Sequence, residues 1–381
     1  MSVQSTSPLK SNFRQRIIPN KCIHVKRSLV GKGKVFVNVN EEILAHEIIG
    51  KSMLSEGFAI INIARKLGIV PQEGLKYLKR SVGENIYKGE LLAFKKGLLG
   101  KKFITSPTDG LVENYDPKKG ELRIQFLPKE IPLTAGVAGI VDDVNYEIGE
   151  VTIKSMVTEV YGVLGSGKER SGTLDVIGGQ SGLVQPSAIT EEMRQHIVVA
   201  GGLIYGEALR RAAGHGVHGL ISGGLNVSNY KAMINSIDPL SRIGSDVGMS
   251  IFATEGFGPL PIGDDIFPLL KAFEGKFVLV HGSISRLLLP IVSPDTILSL
   301  RKIALPLIKK PDIAPEIEVR NIKLDDKVRI IWPPFMGAIG HIAGIDSSVT
   351  KLASGISTYM VIVETLSRKI STPFTNIELV A

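Results

Sequence analysis

The side chains that could do chemistry are few and scattered. His215 and His218 stand three apart in Ala213–Gly219. Two imidazoles at that spacing can share a metal ion, but no thiolate or carboxylate lies close in sequence to complete a tetrahedral set. Cys22 and His24 alternate and would share one face of a strand, yet two ligands alone make no site. Gly162–Glu169, GVLGSGKE, carries the G-x-x-x-x-G-K spacing of a phosphate-cradling loop. Glu169 falls where a hydroxyl should meet Mg²⁺, and a carboxylate there would repel phosphate. The segment that follows is rich in glycine and β-branched residues where a helix is required, so a glycine-rich β-turn is the expectation. No Ser/His/Asp or Cys/His set is legible, so no catalytic residue, metal ligand or reaction is assigned, and no cofactor is specified.

Glycines at the ends of apolar runs offer more. Gly201-Gly202 closes HIVVAGG, Gly223-Gly224 closes VHGLISGG, and Glu255-Gly256-Phe257-Gly258 closes MSIFATEGFG. In an open parallel sheet, ligands settle beyond the carboxyl ends of the strands. Exposed backbone N–H groups near helix starts there suit an anion. Gly201, Gly202, Gly223, Gly224, Glu255, Gly256 and Gly258 are therefore candidates for holding a small anionic ligand. Glu255 would bind a sugar hydroxyl or act as a base. The competing reading is that these glycines only terminate strands.

The elements that would position them alternate. Strand patterns at 196–202, 217–224, 249–258 and 276–283 are separated by helical patterns at 203–214, 226–237 and 264–275. Such alternation predicts a central α/β domain over 191–305 with a parallel sheet. Residues 21–190 read as a β-rich domain of short strands and glycine turns, with a helical insert at 53–80. Within that insert, Asn62–Arg80 has a helix-turn-helix flavour, although Gly74 sits where a second helix wants an aliphatic residue. Residues 1–20 are polar and without period, and are expected to be a flexible tail. Residues 306–325 are proline- and charge-rich and read as a linker to a last domain at 326–381.

Composition sets the broad class. The chain has 381 residues and a single cysteine, so no intrachain disulfide can form. No signal-peptide pattern and no apolar run of about 18 residues occurs, so the expectation is a cytoplasmic protein with no membrane span. Residues 1–110 carry 19 Lys and Arg against 8 Asp and Glu, whereas the rest of the chain holds slightly more acids than bases. A basic lobe can face nucleic acid, an acidic protein or a membrane surface, or be a solvated face.

Two stretches resemble known families. Ser81–Phe126 runs V-G-E-x-I-x-K-G-E-L-L-A and then S-P-T-D-G-L-V, and it resembles the lipoyl/biotinyl-like barrel-sandwich hybrid, including its RnfC-type versions. The resemblance implies turns at Gly83, Gly89 and Pro107–Gly110. It departs at the carrier lysine: FKKGLLGKK offers Lys95, Lys96, Lys101 and Lys102 without the flanking residues that mark a modified one.

The second stretch is DDKVRIIWPPFMGAIGHIAGID with a final FTNIELV. It resembles a KOW domain of the NusG type, an SH3-like β-barrel, with Pro334-Phe335 at the turn and Gly340 entering the second strand. The resemblance implies binding to RNA or a protein partner, with Arg329, Trp332 and Phe335 as candidate contacts.

The combined expectation is a multidomain α+β protein. It comprises a β-rich barrel-sandwich hybrid with helical insert, a central α/β domain with a parallel sheet, and a C-terminal SH3-like β-barrel. The functional expectation is a non-catalytic binding or adaptor protein whose KOW-like barrel contacts RNA or protein. The alternative is a redox or nucleotide/flavin-binding enzyme subunit using the glycine-lined crevice.

Overall fold

The computed structural model describes residues 9–54, 57–97, 100–234, 246, 248–303 and 317–381. The protein is a β-rich α+β chain built from several sheets. Among the described residues its largest sheet has 13 strands. Four of them, Glu169–Val176, Ile197–Val199, Gly219–Leu225 and Ser250–Phe257, lie parallel in that order. Helices Gly206–His215 and Val227–Ile234 connect the last three. Every residue of Gly219–Leu225 is buried, as a strand covered on both faces must be. One face packs Ala208, Leu209, Ala212 and Tyr230 against Val198 and Leu220. The other packs Ile266 and Leu270 against Phe252, Leu174 and Val280.

The sheet is not parallel throughout. Phe277–His281 runs antiparallel to Glu169–Val176 and makes a hairpin with Arg286–Pro290, which pairs antiparallel with Glu150–Tyr161. A parallel arrangement would need a connection that returns the chain to the starting end of the sheet. The helix before Phe277 has only six residues, a rise of about 9 Å, so the chain re-enters near the end it left. The 190/191 boundary is likewise not a break, because one sheet spans it.

Of the segment expected as a tail, Lys10–Arg14 and the first residues of Ile17–Ser28 are strands, and residues 1–8 lie outside the described residues. Lys10–Arg14 pairs antiparallel with Glu318–Asn321 and parallel with Ile377–Val380, and Ile17–Ser28 lies along Glu150–Tyr161. Of the segment expected as a linker, Glu318–Asn321 is that strand, and 306–316 lies outside the described residues. The resulting seven-stranded C-terminal sheet encloses Val328, Ile330, Val361, Val363 and Leu379.

Residues 57–126 form a separate small module. The chain leaves from Ile48–Leu54 and returns as Lys129–Thr134, and these two strands pair with each other at Leu54 and Lys129. The module is thus an insertion on a two-stranded stalk, with its own core around Ile63, Leu67, Ile86, Leu92 and Leu122. The helical insert expected at 53–80 is mostly not helix. Its one α-helix, Ile63–Leu67, is capped by Asn62 and ended by Gly68 at φ +65°, and Pro71–Tyr77 is a 3-10 helix. Among the described residues of the segment there is no second α-helix to read DNA. Gly74 has a packing reason: a Cβ there would meet the Tyr115 hydroxyl at 1.8 Å.

GVLGSGKE is a strand–turn–strand, Leu164–Ser166 followed by Glu169–Val176, with Gly167 at φ +95°. Glu169 forms an ion pair with Arg27. No helix follows the turn, so the geometry of a phosphate loop is missing.

Candidate functional site

The glycine cradle is filled by the chain itself. A Cβ on Gly201 would lie 2.5 Å from the Gly179 carbonyl oxygen. On Gly223 it would lie 2.0 Å from that of Leu260, and on Gly224 1.9 Å from that of Gly258. Gly202 is pressed against Ser181. Two backbone segments, around 179–182 and 258–262, therefore occupy the space where a ligand was expected. Gly256 and Gly258 have φ of +128° and +114° and serve the turn into the second of these segments. Close backbone approach is what glycine permits, and here the approaching backbone is the protein's own.

Glu255 is buried and committed. One carboxylate oxygen accepts from Arg16 at 2.7 Å and from the Gly263 N–H at 3.1 Å. The other accepts from Arg329. Arg16 also donates to the Thr254 carbonyl at 3.2 Å and reaches Asp265 at 3.4 Å. Arg329 donates through Nε to Glu378 at 2.7 Å. The two arginine side chains are 1% and 2% exposed, and Glu255 is 0%. Burial alone would lower the Arg329 pKa, but Glu255 and Glu378 together outweigh it and hold the guanidinium above the ordinary arginine value. Arg329 is thus removed from the set of partner contacts, and Glu255 from that of ligand contacts. Both belong to a buried ionic joint between the N-terminal segment, the central sheet and the C-terminal sheet. Arg329 takes this position because Val328 and Ile330 on either side of it enter the core of the C-terminal sheet. Strand alternation turns Arg329 outward, onto Glu255.

The two rings of the Trp-Pro-Pro-Phe loop part company. Trp332 is 63% exposed. Phe335 packs against the sheet core on one side and lines a cleft of about 860 Å³ on the other. That cleft runs between the C-terminal sheet and the central unit. Its apolar surface comes from Pro334, Phe335, Ala338 and Ile339. Asp264 and Asp265 stand on the central side, with Glu364 of strand Ser357–Thr365 and Leu366 and Arg368 of the turn after it opposite. Arg368 lies 5.6 Å from the Phe335 ring centre, within the range of a cation–π contact, and Leu366 is fully exposed. The Asp264 N–H donates to the Gly337 carbonyl at 3.2 Å, which ties the loop to the central unit. Leu366, Arg368 and Asp264 were not identified from sequence. They belong to turns that carry no motif, and only folding brings them to Phe335.

The histidines go separate ways. His215 ends a helix with Nδ1 3.9 Å from Glu191, whereas His218 shares its Nδ1 with the Ser171 carbonyl at 2.7 Å. Among the described residues no group of three or more His, Cys, Asp or Glu could hold a metal ion. Burial pushes the His218 pKa down from 6.5, only partly opposed by the Ser171 carbonyl, with Arg170 and His196 adding to the lowering. A folded imidazole that resists protonation contributes stability that is fully present above the unfolded pKa and is lost as pH falls from there through the lower folded pKa. Urea midpoints are therefore expected to drop on going from pH 7 to pH 5, and His218→Gln should flatten that slope. An unchanged slope in the variant would count against a buried neutral His218.

Among the described residues no helix is long and apolar enough to cross a membrane. In comparisons with known proteins, no family model matches the chain, and no curated protein matches it.

Proposed function

We propose that the protein is a multidomain binding protein whose C-terminal sheet, read as an SH3-like barrel of the KOW type, grips a segment of a protein partner. The observation that carries this reading is the cleft at Phe335. Its floor is apolar and its rim is mixed, with Asp264, Asp265 and Glu364 set against Lys327 and Arg368. Three carboxylates at the mouth disfavour a phosphate backbone, which binds where cations accumulate. A short peptide with an apolar side chain flanked by charge fits both the floor and the rim. Aromatic and arginine side chains at the centre of such a patch are the usual anchors, and the exposed Trp332 stands two positions before Pro334 of the lining. On this reading the 57–126 module is a non-carrier barrel-sandwich hybrid, since none of its hairpin lysines has the context of a modified one.

The test is peptide selection on the full chain, followed by measured affinities for Phe335→Ala, Arg368→Glu and Trp332→Ala. Selected peptides should share an apolar anchor. Phe335→Ala and Arg368→Glu should each weaken binding by about 10-fold or more, a loss typical of an interface anchor. Equal binding to all variants, or selection of RNA that depends on the same residues, would overturn the reading.

A further inference from the structure

The hairpin Leu91–Gly97 and Gly100–Thr105 has an unusual register. Phe94 faces Phe103, Lys95 faces Lys102 and Lys96 faces Lys101. Like charges directly opposite one another destabilise a strand pair, and here two such pairs follow in succession. One lysine is accounted for, since Lys95 donates to the Gly68 carbonyl at 3.0 Å, at the end of helix Ile63–Leu67. Lys96, Lys101 and Lys102 form no ion pair with any described carboxylate, and all three are exposed. Residues two apart on a strand share a face, so Lys96 and Lys101 stand beside the Phe94–Phe103 pair. Phe103 is 70% exposed. Lys79 adds a further ammonium 5.9 Å from the Phe94 ring centre.

We propose that this face is a binding surface for single-stranded nucleic acid. An exposed phenyl ring between ammonium groups offers a platform for an unpaired base with cations for the phosphates on either side. A duplex keeps its bases stacked on each other and would leave the ring unused. The face sits on the inserted 57–126 module, which the stalk at Leu54 and Lys129 holds as a unit with its own core. It shares no residue with the Phe335 cleft, so it stands or falls independently of the peptide-binding reading.

The experiment is fluorescence anisotropy of the full chain with a labelled single-stranded uridine oligomer of about 20 nucleotides and with a duplex of equal length. Phe103→Ala should weaken single-strand binding by about 10-fold, as expected for loss of one base-stacking contact. Lys96→Gln combined with Lys101→Gln should weaken it and also reduce the salt slope by about 1.4, since each phosphate contact to a single strand contributes about 0.7. A control pair elsewhere, Lys32→Gln with Lys34→Gln, should leave affinity within about twofold. These are exposed positions, and unchanged thermal midpoints will confirm intact folds. Retained affinity in either hairpin variant, an equal loss in the control pair, or duplex binding as tight as single-strand binding would overturn the proposal. So would binding to phosphatidylserine vesicles without binding to the oligomer.

Discussion

Glu255→Gln is expected to lower the unfolding free energy by about 3–5 kcal/mol, the cost of stranding buried charge when one partner is removed. The carboxylate serves two guanidinium groups, both almost fully buried. A neutral amide would leave Arg16 with Asp265 at 3.4 Å as its nearest remaining carboxylate, and Arg329 with Glu378. The chain's single tryptophan lies in the C-terminal sheet unit, so its fluorescence reports that unit, while far-ultraviolet dichroism reports the whole. The two urea transitions should coincide in the wild type. In the variant the fluorescence transition should move to lower urea, because the joint that docks the C-terminal sheet has failed. Adding Arg329→Gln to the variant should cost less than Arg329→Gln alone, since the two side chains share one interaction. Loss of less than about 1 kcal/mol, the scale of a solvent-exposed pair, would show that water reaches the joint.

Gly224→Ala should also be strongly damaging, at or above the upper end of the roughly 1–3 kcal/mol typical of overpacking. Its Cβ would approach the Gly258 carbonyl oxygen to 1.9 Å, and backbone cannot rotate aside as a long side chain can. The Gly258 N–H also donates to the Leu225 carbonyl at 3.0 Å, which holds the crossing segment in place. Thermal unfolding of Gly224→Ala beside Gly214→Ala, where a Cβ meets nothing within 4 Å, separates crowding from the intrinsic effect of the residue change. Equal midpoints would return the crevice to the list of open ligand sites.

What could be read from the chain depended on whether the determinant was local. The strands ending at Leu225 and Phe257 were legible because a continuous apolar run closed by glycine is a local signal. The turn at Gly167 was legible for the same reason, as was the missing helix after it. Glycine then misled, because a residue that lets backbone approach looks the same whether the visitor is a phosphate or another loop of the chain. Arg329 misled similarly. Its alternation with Val328 and Ile330 shows that it leaves the sheet core, but nothing nearby in sequence reveals that Glu255 covers it. Lys10–Arg14 escaped notice because KSNFR buries only Ser11 fully, and its pairing partners lie at the other end of the sequence. Trp332 was a candidate contact only through the resemblance, its exposure being undecided by its neighbours in sequence, and the Phe335 cleft needed two turns that carry no pattern.

The Ser11 hydroxyl donates to the Ile377 carbonyl across 366 positions. Among the described residues Lys10–Arg14 therefore pairs with no neighbour in sequence, but with Glu318–Asn321 and Ile377–Val380. Until those two strands are in place, its open edges are a template for any passing strand. Cleavage between Arg14 and Gln15 should therefore loosen the sheet built on Glu318–Asn321 and Ile377–Val380 as well.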